Sequence, residues 1–134
     1  MSLEDLKIYG QAMNLGEEVW KEVTKWNYFD KDTIGKQVVR SVDSVAANIS
    51  EGYGRYHYKD SKKFYYYSRG SLYETKTWLT KANKRKLINE DLYDELTNEI
   101  TVLGKMLNSY IKSIGNETGK YEAKEDQGDY DTND

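Results

Sequence analysis

The side chains of this 134-residue chain that are best able to do chemistry stand in two short stretches. Asn48 and Glu51 lie three residues apart in an apolar segment, and a later segment holds Glu74. Two carboxylates brought together can act as general acid and base. No metal ligand or nucleophile accompanies them, so a buried polar network that fixes the register of two helices is the favoured interpretation. Its expected members are Arg40, Asn48, Glu51, Arg69, Ser71 and Glu74.

The amino-acid composition excludes several kinds of catalytic and metal-binding site. The chain has no cysteine, which excludes disulfides and thiolate ligands, and its single histidine argues against a multi-histidine metal centre or a serine–histidine triad. The N-terminus lacks a signal-peptide pattern, and no run approaches the roughly 18 apolar residues that cross a bilayer. We therefore expect a soluble, cytoplasmic protein that is not an enzyme, holds no metal or cofactor and contacts no membrane.

Charge is distributed unevenly along the chain, whose formal net charge is −3. Residues 36–86 hold twelve lysines and arginines against four carboxylates, whereas residues 115–134 hold two lysines against seven carboxylates. The local field governs attraction to a polyanion, and interspersed tyrosines can stack on unpaired bases. The alternative is a solvated face with cations at a helix C-terminus. The nucleic-acid-binding residues predicted here are Arg55, Lys59, Lys62, Lys63, Lys81, Lys84, Arg85 and Lys86.

Four segments with apolar residues at spacings of three and four must position these side chains. Long helices and short links predict an all-α, antiparallel up-down-up-down four-helix bundle over residues 1–115. The acidic residues 116–134 lack apolar periodicity and are predicted to be disordered. The expected helices run from about Leu3 to Asn27, from Asp32 or Thr33 to Gly52 or Gly54, from Asp60 or Ser61 onward, and from the cap Asn89 to a stop at Gly115.

Aromatic residues are more numerous than one core can use, with 13 tyrosines in the chain. Residues 65–67 are consecutive tyrosines that point about 100° apart on a helix, so they cannot all enter one core. Trp20 and Trp26 similarly lie on different sides of the first helix. This surplus predicts an oligomer. Gly70 and Ser71 would weaken the third helix, so we also expect a close-packed neighbour there.

The most specific sequence signal is a combination of three short motifs. Residues 48–55 (NISEGYGR), 68–74 (SRGSLYE) and 3–6 (LEDL) resemble the ribosomal RNA intervening-sequence (S23-type) family of four-helix bundle proteins. That family includes the accessory variability determinant proteins of diversity-generating retroelements. The resemblance implies a non-enzymatic bundle that assembles as a homopentameric ring. For the retroelement members it implies binding of nucleic acid and of a reverse transcriptase through a basic surface.

Two functions from different classes follow from the residues and the resemblance together. The first is a non-catalytic oligomeric scaffold that binds RNA or DNA through the basic surface. The second is a protein-interaction module that binds a partner such as a reverse transcriptase without touching nucleic acid. Salt-dependent binding to a generic RNA separates them, because phosphate contacts weaken as salt is raised.

Overall fold

In this computed structural model the backbone is described for residues 1–55 and 60–125, and the side chains for residues 1–55 and 60–114. All regular elements within those residues are helical. The short turn Leu3–Asp5 leads into α1, and α2 contains three contiguous segments, the middle one a π-helical turn. The elements are α1 (Lys7–Val23), α2 (Tyr28–Asp30, Lys31–Gly35 and Lys36–Gly54), α3 (Ser61–Lys84) and α4 (Glu90–Glu125).

Side-chain caps set the starts of two helices. The side-chain oxygen of Asn89 accepts a hydrogen bond from the backbone N–H of Leu92 at 2.8 Å, as expected for the start of α4. Asn27 does the same for Asp30 at 2.9 Å. Because Asn27 supplies this cap, α2 begins at Tyr28, earlier than the predicted start after Asp32 or Thr33. The first helix is correspondingly shorter than predicted and ends at Val23.

The predicted stop of the fourth helix at Gly115 is wrong, because α4 continues to Glu125. A glycine ends a helix when it adopts a left-handed conformation, and none of the described glycines has a positive φ. Otherwise a single glycine weakens a helix by only about 1 kcal/mol, and lysine, glutamate and alanine, which favour helices, follow it here. Residues 126–134, the remainder of the predicted acidic tail, lie outside the described residues.

The four helices pack around one apolar core. The most extensive contact joins α2 and α3, α1 also packs on α2, α3 on α4, and the contact of α1 with α4 is the least extensive. Helices α1 and α3 therefore occupy opposite corners of the bundle. Of the helices in the described residues, none has both the length and the apolar run that crossing a bilayer requires. Large, fully buried side chains include Leu15, Val19, Val42, Val45, Ile49, Tyr65, Leu72, Leu79, Leu96, Leu103 and Leu107.

Small hydroxyl residues let α2 and α3 approach closely. Ser41, Ser68 and Thr75 are buried in this contact, and each finds a hydrogen-bond partner, which removes the penalty for burying a polar group. The contacts between the helices are Thr75 Oγ1 to Ser41 Oγ (2.9 Å), Ser71 Oγ to Ser44 Oγ (2.9 Å) and Ser68 Oγ to the carbonyl oxygen of Val45 (2.8 Å).

At one end of this contact, Gly52 of α2 lies directly against the ring of Tyr65 of α3. A Cβ atom at position 52 would stand 2.7 Å from Cε2 and Cζ of that ring. The ring is fully buried and packs edge-on against Tyr110, with centroids 5.1 Å apart. A side chain at position 52 would therefore force a buried and packed ring to move, which explains why glycine stands there.

We expect Gly52→Ala to lower the free energy of unfolding by about 2 kcal/mol, because the added methyl group overpacks a rigid contact. Gly54→Ala is the matched control, since a Cβ at position 54 meets nothing within 4 Å. The control should be neutral or slightly stabilising, as alanine favours a helix over glycine. Urea unfolding followed by circular dichroism measures both, and equal stability of the two variants would contradict the packing described.

Candidate nucleic-acid interface

The outward face of α3 carries a continuous stripe of cations and tyrosines. The helix buries Tyr65, Leu72 and Leu79 on one side, and it holds six lysines and arginines against one carboxylate, Glu74. At about 100° per residue, most of the cations project away from the core together with exposed tyrosines. We call these residues the α3 stripe: Lys62, Lys63, Tyr66, Arg69, Tyr73, Lys76, Lys81 and Lys84.

The stripe joins two clusters that the sequence presented as separate. Lys62 and Lys84 are 22 positions apart on α3, which corresponds to about 33 Å along the helix axis. Tyr73 and Lys76 fill the interval between the clusters, and both are exposed. Sequence reasoning missed these two residues. The spacing 62, 66, 69, 73 and 76 is the signal that could have found them, since such positions share one helix face.

At the N-terminal end of α3, carboxylates already engage part of the predicted positive charge. Arg55 donates to Glu51 at 2.9 Å and to Asp60 at 3.0 Å, and its guanidinium lies 4.9 Å from the centroid of the Phe64 ring. Lys63 is 3.9 Å from the same Asp60 carboxylate. Arg55 is therefore a weaker candidate for phosphate binding than the unpaired lysines of the stripe. Lys59 lies outside the described residues.

At the C-terminal end the predicted cations are exposed and form no ion pair with any described carboxylate. Lys86 adopts a left-handed conformation with φ of 63°. The backbone N–H of Leu87 donates to the carbonyl oxygen of Ala82 at 2.8 Å, so the helix ends in a Schellman motif. Lys86 thus closes the helix as well as adding charge. The cations at this end are Lys81, Lys84, Arg85 and Lys86.

Two members of the predicted polar network meet, through a residue that the prediction left out. Asn48 Nδ2 lies 2.9 Å from the carbonyl oxygen and 3.0 Å from Oγ of Ser44. Ser44 Oγ in turn lies 2.9 Å from Oγ of Ser71 on α3. Asn48 and Ser71 are therefore linked through the Ser44 hydroxyl, and this link belongs to the close α2–α3 contact.

The charged members of that network differ from the prediction, because they do not enter the α2–α3 contact. Glu51, Glu74 and Arg40 are exposed, and Arg69 donates from Nη1 to Oδ1 of Asn108 on α4 at 2.9 Å. The buried hydroxyls of Ser41, Ser68 and Thr75 pair with hydroxyl and carbonyl oxygens, and no described carboxylate is buried between α2 and α3. Glu51 pairs with Arg55 and Glu74 accepts from the Trp78 indole, neither of which is an acid–base arrangement.

Three carboxylates converge where α1 meets α4. One carboxylate oxygen each from Glu18, Glu95 and Glu99 lies within 4.8 Å of the others. Burial, a hydrogen bond with the Glu18 carboxyl, and the charges of Glu18 and Glu95 raise the pKa of Glu99 to about 7. Oxygen ligands suit hard cations such as Mg²⁺. Among the described residues, no further histidine, cysteine or carboxylate joins the cluster, and a proton held by Glu99 reduces the repulsion among the three groups.

Comparison of the sequence with protein-family models identifies the family of this chain. The family model for 23S rRNA-intervening sequence proteins matches residues 4–109, most of the described chain. The protein belongs to this family. The match confirms the resemblance inferred from the motifs at residues 48–55 and 68–74, and it covers all of α1, α2 and α3.

A solved structure has the same fold. It is the crystal structure, at 1.70 Å, of a protein of unknown function from the S23 ribosomal protein family of Bacteroides thetaiotaomicron VPI-5482. The TM-score is 0.70 at 22% sequence identity, over 78% of this chain and 98% of that one. No curated protein sequence matches this chain significantly. At this level of identity the structural likeness establishes the fold alone.

We expect the carboxylate cluster to make folding stability fall as pH rises. The folded protein holds the Glu99 proton up to about pH 7, whereas the unfolded chain releases it near 4.5, so stabilisation present below pH 4.5 is lost as pH approaches 7. After allowance for solvent screening the loss is about 1 kcal/mol. Glu99→Gln should remove it.

Urea unfolding at about pH 5 and pH 8 measures this difference. Glu90→Gln, an exposed substitution on the same helix, is the control and should retain the pH dependence of the native chain. An unchanged pH dependence in Glu99→Gln would show that the carboxylates do not interact as described.

Proposed function

We propose that the protein is a non-catalytic, oligomeric scaffold that binds nucleic acid through the α3 stripe. The observation that carries this proposal is a helix with six cations, four of them exposed and two half-buried, against one carboxylate, with a stripe that extends about 33 Å. Lys76, Lys81 and Lys84 form no ion pair with a described carboxylate, so their charge is available to phosphates. The name of the family, which refers to 23S rRNA, supports RNA as the nucleic acid that is bound.

Recognition in this proposal is directed mainly at the phosphate backbone. Lysine ammonium groups are point charges on flexible stems, which neutralise phosphates without reading base edges. The stripe follows one helix, so a strand that lies along it meets cations at both ends and in the middle. Binding of this kind is strongly salt-dependent and only weakly dependent on sequence.

We further propose that the bundle is antiparallel, up-down-up-down, and that it assembles into a ring of five copies. Along α2, positions 41, 44 and 45 meet positions 75, 71 and 68 of α3, so residue numbers rise on one helix as they fall on the other. Met13 and Trp20 support self-assembly, because they project from one side of α1 with 44% and 55% exposure. Next to Met13, small residues of α1 and α2 line a groove of about 340 Å³.

A scaffold role without catalysis is the third part of the proposal, together with a cytoplasmic location. The carboxylates considered for acid–base chemistry are exposed, and each has another partner, Arg55 for Glu51 and Trp78 for Glu74. The chain has no cysteine, which suits a reducing compartment. The side of α1 that exposes Met13 and Trp20 belongs to a helix at the opposite corner of the bundle from α3. Assembly through α1 therefore leaves the α3 stripe accessible.

We expect reversal of charge at either end of the stripe to weaken binding by at least 10-fold. The variants are Lys62→Glu with Lys63→Glu, and Lys81→Glu with Lys84→Glu. Fluorescence anisotropy with a labelled single-stranded RNA of mixed sequence, from about 50 to 200 mM salt, measures the affinity. Two lost phosphate contacts should flatten the slope of log K against log salt by about 1.4.

The control for these variants reverses the same number of charges away from the stripe. Lys7→Glu with Lys21→Glu changes two exposed lysines of α1, at the opposite corner of the bundle, and should leave binding within about 2-fold. Equal losses in all three double variants would indicate a general charge effect rather than a binding surface. Absence of binding to the native chain at low salt would favour the protein-interaction module, with a partner such as a reverse transcriptase.

For the assembly, we expect Trp20→Glu to produce smaller particles, because it places a charge on the apolar side of α1. Light scattering coupled to size-exclusion chromatography should give the mass of five protomers for the native chain. Lys21→Ala, at the neighbouring exposed position, should keep the native mass. A single-protomer mass for the native chain would exclude the ring.

A further inference from the structure

Two tyrosines interrupt the cations of the α3 stripe at a regular interval. Tyr66 is 42% exposed and Tyr73 is 61% exposed, and seven helical positions, about 10 Å, separate them. Phosphate binding alone gives no reason for large aromatic rings to face water at these positions. Aromatic rings on a basic surface are the usual platform on which unpaired bases stack, because each base has an apolar face.

Flanking cations hold the first of these rings. The guanidinium of Arg69 lies 4.8 Å from the centroid of the Tyr66 ring, and the ammonium of Lys62 lies 5.9 Å from it. Arg69 is itself anchored to Asn108 of α4 at 2.9 Å. These contacts restrict the orientation of the Tyr66 ring, which lowers the entropy lost when a ligand stacks on the part of the ring that remains exposed.

Gly70 creates a gap between the two tyrosines. It lies four positions after Tyr66 and three before Tyr73, so all three share one face of α3. The predicted close-packed neighbour is present at Ser71, whose hydroxyl meets Ser44 of α2, but within the described chain it is absent at Gly70, where a Cβ meets nothing within 4 Å and the residue is exposed. Glycine weakens an exposed helix relative to alanine, and no close packing within the described chain requires a glycine at position 70. It leaves the helix backbone open to a flat ligand.

We infer that the notch formed by Tyr66, Gly70 and Tyr73 receives an unpaired base, so that the α3 stripe prefers single-stranded nucleic acid over a duplex. This inference rests on the proposed function and adds the class of ligand. In a duplex the bases stack on one another, and none is free to stack on the tyrosines. Only the phosphate contacts of the stripe remain for a duplex, which then binds more weakly.

The test compares one labelled 12-nucleotide RNA as a single strand and annealed to its complement, by anisotropy at about 50 mM salt. The native chain should bind the single strand more tightly. Tyr66→Leu and Tyr73→Leu should each weaken single-strand binding by about 5- to 150-fold and leave duplex binding unchanged. Tyr28→Leu is the matched control, a tyrosine 78% exposed outside the stripe, and should change neither affinity.

Gly70→Leu tests the notch without removing an aromatic ring. Leucine favours a helix over glycine, and a Cβ at this exposed position meets nothing within 4 Å, so the melting temperature should stay the same or rise while single-strand affinity falls. Equal affinity for single strand and duplex, unaffected by the tyrosine and Gly70 variants but reduced by the lysine reversals, would overturn the notch and leave the proposed function standing. No binding of either probe at low salt would overturn both.

Discussion

The close approach of α2 and α3 is the constraint on which the rest of the molecule depends. Serine and threonine hydroxyls bridge the two helices, and Gly52 allows the buried ring of Tyr65 to lie against the α2 backbone. Larger side chains at these positions would separate the helices and open voids in a core that has to be tightly packed. The contact uses small neutral groups, which satisfy one another without the desolvation penalty of buried charges.

The α2–α3 contact also determines which side chains of α3 are exposed to solvent. With Tyr65, Leu72 and Leu79 held inward, the 3.6-residue repeat leaves Tyr66, Tyr73 and the lysines no direction except outward. A helix with this many exposed cations and rings derives little of its stability from that face. The packed side of α3 thus supplies most of the stability of this helix, and the free side holds the residues of the proposed binding surface.

Much of this could be predicted from the sequence, and the failures have physical causes. The cap at Asn89 and the apolar spacing of α4 are local signals, so the start of that helix was predictable. The end at Gly115 was not, because glycine stops a helix only in a left-handed conformation, which sequence does not specify. Glu51 was assigned to a buried network although the nearby Arg55 offered an exposed partner, a choice that tertiary packing decides. The stripe itself was divided into two clusters, because Tyr73 and Lys76 become neighbours of those clusters only on a folded helix.

The modest contact between α1 and α4 has a consequence for how the bundle opens. Of the four adjacent pairs, α1 and α4 make the least extensive contact, which brings together Glu18, Glu95 and Glu99, whereas α2 and α3 make the most extensive. Resistance to transient opening should therefore be unequal, with α1 and α4 separating from each other more readily than α2 and α3 do. Amide protons along the α2–α3 contact would then exchange with deuterated solvent more slowly than those along the α1–α4 contact.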